Sequence, residues 1–168
     1  MAETLTHSLE NYLSAELVVF IISMLPILEL RGGLIAASLL GLPWKTSIVI
    51  SLVGNILPIP FLLLFIRQIL RFMIQHGIFK RFALWAQNKG MTKGAELMEK
   101  HPRKIQFALF LFVAIPLPGT GGWTGALIAS LLGLKIKDSA LPICLGIAGA
   151  AVIMSVATYL IPMMIGIK

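Results

Sequence analysis

The sequence has few charged residues, three histidines and one cysteine, and each shortage excludes a class of protein. Only 12% of the 168 residues are charged and 58% are hydrophobic, whereas about a quarter of the residues in a soluble domain are charged. Together with a mean hydropathy of +0.93, this composition indicates an integral membrane protein. The lone Cys144 excludes an intramolecular disulfide and lies in an apolar run, where we expect a small buried hydrophobe.

The scarcity of histidine and acidic residues also limits the chemistry. His7, His76 and His101 have no partners at the spacing of a metal site, so we expect no metal and no cofactor. The apolar segments contain no serine–histidine pair and no paired carboxylates. We therefore expect no enzymatic activity and no catalytic residue. Met1 to Glu16 contain no lysine or arginine and no cleavage pattern, so we also expect no signal peptide.

The net charge of +7 arises largely in one central stretch. Nine lysines and arginines lie between Arg67 and Lys104, and short loops of this kind remain in the cytoplasm. Aromatic residues alternate with the basic ones, which is typical of an amphipathic helix on an anionic membrane surface. We therefore expect membrane lipids rather than nucleic acid as partners, with residues 72–103 on the cytoplasmic side.

The first apolar stretch is too short to cross a membrane. Leu17 to Leu28 provide about twelve residues, whereas a spanning helix needs about 20. A polar group, Glu29 to Gly33, separates this stretch from a second short apolar run that ends at Trp44. A carboxylate and a guanidinium are costly at membrane depth. We therefore interpret residues 17–44 as a re-entrant hairpin that turns at Glu29 to Gly33, with this turn buried in protein or lining a cavity.

Two longer segments can cross the membrane. Thr46 to Ile66 and Ser139 to Ile167 are long enough and almost free of charge. Because Pro58 and Pro60 lie in the first segment, we expect a kink or a broken helix beside Asn55. Two explanations fit this break: a proline kink relieved by packing, and a discontinuous helix at a substrate site.

A shift of 92 positions aligns one half of the chain with the other. LIAASLLGL at 34–42 corresponds to ALIASLLGL at 126–134, and several prolines, glycines and serines coincide in the same register: Pro26 with Pro118, Gly33 with Gly125, Ser47 with Ser139, and Gly54 with Gly146. Low-complexity leucine and alanine account for part of this agreement. The shared glycines, prolines and serines indicate a duplication.

Each half then contains one hairpin and one span, and a single span per half requires the halves to be inverted. The predicted fold is an all-α integral membrane protein with one membrane domain, 1–168. It has an N-terminal interfacial helix (1–16), a first repeat (17–71), a basic amphipathic linker (72–103) and a second repeat (104–168). Inverted repeats with discontinuous helices are typical of secondary transporters.

The candidate site combines a charged and an uncharged turn. Glu29 could load and release a proton as its exposure changes. Arg31 could bind an anionic group such as phosphate, although the two could also form only a structural ion pair. Asn55 is a further polar candidate, with a helix–helix hydrogen bond as the alternative. The candidate substrate-binding residues are Arg31, Gly32, Gly33, Asn55, Pro118, Gly119, Thr120, Gly121, Gly122, Trp123 and Thr124.

The second turn offers neutral donors. A glycine-rich turn that opens a half-helix can cradle an anion, but a tight turn needs glycine in any case. Trp123 occupies the repeat position of Arg31 and either stacks on a ligand or fills the core.

Two spans and two hairpins are too few helices to enclose a substrate on all sides. We therefore expect a homodimer, through the small residues Gly146, Gly149 and Ala150.

Two motifs, ELRGG at 29–33 and PLPGTGGWTGA at 116–126, resemble the signatures of the small multidrug export protein family. That family is distantly similar in layout to the DedA membrane proteins, which include carriers of lipid phosphates. The resemblance implies a small secondary transporter, proton-coupled, that moves an amphipathic or lipid-like substrate by alternating access in a bacterial-type or archaeal cytoplasmic membrane. The alternatives are a lipid-phosphate flippase or lipid scramblase, and a membrane-organising protein that transports nothing.

Overall fold

A computed structural model describes residues 14–77, 81, 84, 99–117 and 119–164, and every element within these ranges is helical. The predicted all-helical fold is confirmed for this part of the chain. Most of the predicted N-terminal helix, most of the predicted linker and Pro118 lie outside the described residues. The elements are α1 (Ala15–Met24), α2 (Glu29–Leu39), α3 (Trp44–Ile56), α4 (Pro58–Gln75), α5 (Pro102–Ala114), α6 (Gly122–Leu131), α7 (Ile136–Ser155), the π-helix π1 (Val156–Leu160) and α8 (Ile161–Met164).

Two helical stretches are long and apolar enough to cross a membrane, Trp44–Ile66 and Ile136–Met164. They confirm the two predicted spans. Only 28% and 33% of their most apolar windows are buried within the protein, which leaves most of both surfaces for lipid or another chain. The first span is interrupted as predicted, because α3 ends at Ile56 and α4 starts at Pro58, where proline lacks the amide that a continuous helix needs.

The chain divides into two compact units. One consists of the residues up to Ile56 and those from Ala150 onwards, and the other of Leu57–Gly149. In the first unit α1, α2 and α3 pack against one another and α2 also contacts π1. In the second unit α4 and α5 both pack on α6. Each unit therefore has its own set of helix contacts.

The first helix begins slightly earlier than predicted. The Ser14 hydroxyl accepts a hydrogen bond from the Leu17 amide at 3.3 Å, and Glu16 in the first turn complements the helix dipole. Ala15 and Glu16 therefore belong to α1 and not to a separate N-terminal helix.

The turn between α1 and α2 lies at residues 25–28 and not at Glu29 to Gly33, so that prediction was wrong. Leu25 is extended, with φ −73° and ψ 137°, because the residue before a proline is driven out of the helical region. Pro26 therefore ends the helical path, and α2 resumes at Glu29. The charged pair and the two glycines consequently lie inside the first turns of a helix.

The second short helix of each copy ends in the same way. Gly41 has φ 71°, and the Leu42 amide donates to the Ala37 carbonyl at 2.9 Å. This is a Schellman end, which places its glycine in the left-handed region. Ninety-two positions later Gly133 has φ 68° and the corresponding bond is 3.0 Å. Both helices therefore end in the same local structure.

The long helix of each copy passes the first short helix at a glycine. A Cβ at Gly54 would lie 2.8 Å from the Phe20 carbonyl oxygen, and a Cβ at Gly146 would lie 2.9 Å from that of Phe110. Gly149 also packs on α5, beside Ala114. The prediction that Gly146 and Gly149 face a second copy was therefore wrong, because these glycines serve helix packing within one chain.

Candidate functional site

Polar side chains collect where α1, α2 and α3 pack together. Ser23 on α1, together with Ser51 and Asn55 on α3, is almost completely buried, with at most 2% of each residue exposed. Glu29 at the start of α2 is only 6% exposed. We call these four residues the polar seam. Buried polar groups of this kind are costly in a membrane protein unless they are paired or used.

Gly33 lies against two hydroxyls of the seam. A Cβ at this position would lie 2.9 Å from Ser51 Oγ and would overlap Ser23 Oγ. Ser23 Oγ donates to the Val19 carbonyl at 2.7 Å, so its lone pairs remain able to accept. Any side chain at Gly33 would displace the two hydroxyls. The predicted site residue Gly33 is therefore a spacer of the seam.

Two oxygens of the seam lack hydrogen-bond partners. Ser51 Oγ and Asn55 Oδ1 are fully buried and accept or donate no hydrogen bond. By contrast, Ser47 one turn earlier on the same helix donates to the Pro43 carbonyl at 3.0 Å. An unsatisfied buried polar group costs about 1 to 3 kcal/mol. Two of them one helical turn apart therefore require an explanation beyond packing.

Glu29 starts α2 with a left-handed backbone. Its φ of 50° is positive, and within the described ranges no other non-glycine residue has a positive φ. At the repeat position the second copy carries Gly121, with φ 149°. The left-handed region costs a residue with a side chain about 1 to 2 kcal/mol, and such strain is concentrated at functional sites. The chain thus holds a carboxylate where a glycine would be less strained.

Glu29 and Arg31 attract each other electrostatically. Two residues apart on a helix, their side chains leave on different faces, and Arg31 is only partly buried. Gly32, between them, packs beside the Leu28 side chain.

The register of α2 and α3 places Asn55 level with Glu29. Gly33 contacts Ser51, and the four-residue connection 40–43 returns the chain in the opposite direction. Glu29 lies one turn before Gly33, and Asn55 lies one turn after Ser51. Because α2 and α3 run antiparallel, the step back from Gly33 to Glu29 and the step forward from Ser51 to Asn55 point in the same direction along the helix pair. The structure therefore brings together the predicted residues Glu29, Gly33 and Asn55.

The second unit contains the other predicted residues. Thr120 holds the turn after α5: its hydroxyl accepts from the Leu117 amide at 3.1 Å and reaches the Ile115 carbonyl at 2.7 Å. The Thr120 amide also donates to the Leu117 carbonyl, at 3.1 Å. Both donors of Thr120 are therefore engaged in the turn. This geometry favours a structural role for Thr120.

Replacement of Thr120 by valine is expected to lower the free energy of unfolding by about 1 to 2 kcal/mol, because the turn loses its hydroxyl bonds. Thr120→Ser retains these bonds and serves as the control. Denaturant titration in detergent micelles measures both variants. Equal stabilities of the valine and serine variants would show that the hydroxyl does not hold the turn.

The remaining predicted residues of this turn differ in their surroundings. Gly119 has φ 82° and faces open space, since a Cβ there would meet nothing within 4 Å. Gly122 begins α6 and lies against Ile59 and Ile147, 3.0 and 2.8 Å from its hypothetical Cβ. Trp123 and Thr124 are partly buried in the first turn of α6. Gly119 is thus the most accessible backbone of the described turn.

Two residues of the polar seam have apolar counterparts in the second unit. The shift of 92 positions places Ile143 at the position of Ser51 and Ile147 at that of Asn55, and both isoleucines are buried. The second unit still contains a buried polar atom, because Ser130 Oγ has no hydrogen-bond partner. The contrast between the two units therefore concerns these two positions of the long helices α3 and α7.

Comparison with known proteins identifies the family of the chain. The family model described as "Putative small multi-drug export protein" matches residues 29–153, well over half of the chain. The chain belongs to this family. No curated protein and no solved structure matches the chain. The export family and the two apolar spans indicate a membrane protein.

Two residues of the polar seam, Ser23 and Ser51, were not predicted from the sequence of this member of the small multi-drug export family. Ser51 could have been found, because Ser47, Ser51 and Asn55 follow each other at four-residue intervals in an uncharged span. Ser23 lies on another helix, and no local spacing relates it to them. Its role becomes visible only through its contact with Gly33.

A second feature of the first unit is an apolar cavity of about 300 Å³, lined by Trp44, Ser155, Val156, Tyr159, Leu160 and Met163. The Tyr159 hydroxyl is buried there without a hydrogen-bond partner. Tyr159 lies in π1, and π-helical turns frequently occur at functional sites. Apolar walls with one unsatisfied hydroxyl suit a small amphipathic molecule.

Proposed function

We propose that this member of the small multi-drug export family is a secondary transporter that moves an amphipathic or lipid-like molecule in exchange for, or together with, protons. One observation carries the proposal. A strained, buried carboxylate, Glu29, belongs to a polar seam, and two other residues of this seam, Ser51 and Asn55, are isoleucines at the repeat positions of the second unit. An ionisable group placed in this way at membrane depth is a functional group by default.

The chemistry follows from two opposing influences on Glu29. Burial favours the neutral acid, whereas the positive charge of Arg31 favours the carboxylate. A change in exposure of the site therefore shifts the balance, so that Glu29 takes up a proton in one state and releases it in the other. When Glu29 is protonated, Arg31 loses the attraction of the Glu29 carboxylate and can bind an anionic group of the substrate.

Alternating access requires two conformations of similar energy, and the internal duplication supplies a reason for them. The helices α1 and α2 have 10 and 11 residues, which is too few to cross a membrane. We assign α1–α2 and α5–α6 to re-entrant hairpins, and a single span per copy makes the two copies inverted. Exchange of conformation between the copies would open the site to alternate sides.

The membrane arrangement and assembly are part of the same proposal. The basic segment 72–103 lies in the cytoplasm, and the largely exposed spans contact lipid and a second copy in a homodimer. We assign no enzymatic activity and no cofactor to the chain. Native mass spectrometry of the detergent-purified protein would report the dimer directly; a monomer at all detergent concentrations would contradict it.

One observation favours the lipid-phosphate alternative. A groove of about 410 Å³ in the second unit combines Arg103 and Lys137 with apolar walls that include Phe107, Phe110 and Leu145. Two cations beside an apolar surface fit a phosphate headgroup and its acyl chain. This groove is independent of the polar seam, so a lipid carrier remains the second candidate function.

Proteoliposomes distinguish the candidates. We expect a pH gradient to drive the uptake of a fluorescent amphipathic substrate, measured by quenching, above the rate of protein-free vesicles. A lipid scramblase would move labelled phospholipid downhill at a rate that does not respond to the gradient. No uptake of any probe above protein-free vesicles, with a folded protein, would contradict transport.

A further inference from the structure

Two hydroxyl oxygens of the polar seam, Ser23 Oγ and Ser51 Oγ, lie against Gly33. Ser51 Oγ and Asn55 Oδ1 have no hydrogen-bond partner, and Ser23 Oγ retains acceptor lone pairs beyond its bond to Val19. The Glu29 carboxylate is level with Asn55. Hydroxyl, amide carbonyl and carboxylate oxygens together form the ligand set of a hard cation.

The charge of the seam selects the class of cation. The seam contains one carboxylate, and among the described residues no group of three or more histidine, cysteine or acidic side chains could hold a metal ion. A divalent ion would therefore be left with excess charge in a buried place. Ser23 lies in the last turn of α1, where the negative end of the helix dipole favours a cation.

We propose that Ser23, Glu29, Ser51 and Asn55 form a sodium site and that sodium and a proton compete for Glu29. Sodium would satisfy both orphaned oxygens at once, which explains why α3 has Ser51 and Asn55 where the repeat positions of α7 have Ile143 and Ile147. The binding site itself depends only on the packing of α1, α2 and α3. Its use in coupling rests on the proposed transport function.

Among the described residues, the elements packed with α2 carry few other charged or titratable groups. Arg31 lies on the same helix, exposed Glu16 and Lys45 lie on α1 and α3, and the Tyr159 hydroxyl lies on π1, which also contacts α2. Because Arg31 leaves α2 on a different face from Glu29, bound sodium would replace it as the counter-charge. Arg31 could then bind an anionic group of the substrate, as proposed above for the state in which Glu29 is protonated.

Binding can be measured without transport. Purified full-length protein is titrated with NaCl in a calorimeter at constant ionic strength, with choline chloride as the balancing salt and KCl as the comparison. We expect saturable heat and a raised Tm with sodium, a weaker response to potassium, and lower sodium affinity as the pH falls and Glu29 becomes protonated. Indistinguishable responses to the three salts would overturn the site and leave water as the occupant of the seam.

Matched variants locate the ion. Ser51→Ala is expected to reduce sodium affinity at least about tenfold, and Glu29→Gln to abolish the response. Ser47→Ala, a buried serine one turn away whose hydroxyl already bonds to Pro43, should leave it unchanged. In choline buffer Ser51→Ala should be as stable as the wild type or more stable, because it removes an unsatisfied hydroxyl. Unchanged sodium affinity in Ser51→Ala would overturn the site, whereas binding without transport would refute only the proposed function.

Discussion

Glu29→Gln is expected to reduce pH-driven uptake in proteoliposomes to the level of protein-free vesicles while the helical content stays unchanged. Glutamine has the shape of the protonated acid but can neither release a proton nor carry a charge, so the cycle stops in one protonation state. The measurement is the initial uptake rate with an imposed pH gradient. Glu16→Gln is the matched control, because Glu16 is exposed in the first turn of α1 and plays no part in the seam.

A second variant separates lost coupling from lost structure. Glu29→Gly also removes the carboxylate, but it relieves the left-handed strain, since the second copy has glycine at this position. It should therefore be at least as stable as the wild type and equally inactive. If either variant retained uptake that responds to the pH gradient, Glu29 would not be the coupling residue.

The spans were predictable because an uninterrupted apolar run leaves a membrane protein few alternatives. The break before Pro58 followed from the missing amide of proline. The position of the first turn was not predictable in the same way, since both Pro26 and the glycine pair are breakers. The glycines turned out to serve close packing against Ser23 and Ser51, a contact between helices that no local pattern reports.

Only some residues of the polar seam were predicted, because contacts between helices leave no local pattern in the sequence. Glu29 is conspicuous in an apolar sequence, and Asn55 lies in an uncharged span. That these two are level with each other depends on the register of α2 and α3, which the contact of Gly33 with Ser51 establishes. The role of Ser23 became visible only through its contact with Gly33, because Ser23 lies on another helix.

The second large effect is expected from Gly146→Ala, which should lower the free energy of unfolding by about 2 kcal/mol or more. The added methyl group would lie 2.9 Å from the Phe110 carbonyl oxygen and 2.7 Å from Val113 Cβ. Neither atom is the flexible end of a side chain, so α7 and α5 must move apart and lose contacts. Denaturant titration in mixed micelles measures the change.

Gly149→Ala is the matched control on the same helix. Its methyl group would lie 3.2 Å from Ala114 Cβ and 3.9 Å from the nearest ring atom of Phe110, a close contact that small shifts can accommodate. Alanine also has a higher helix propensity than glycine by about 1 kcal/mol, which offsets that contact. We therefore expect near-wild-type stability for Gly149→Ala. Equal destabilisation by the two variants would show that the clash of the Gly146 methyl group with the Phe110 carbonyl oxygen and Val113 Cβ does not decide the stability of this packing.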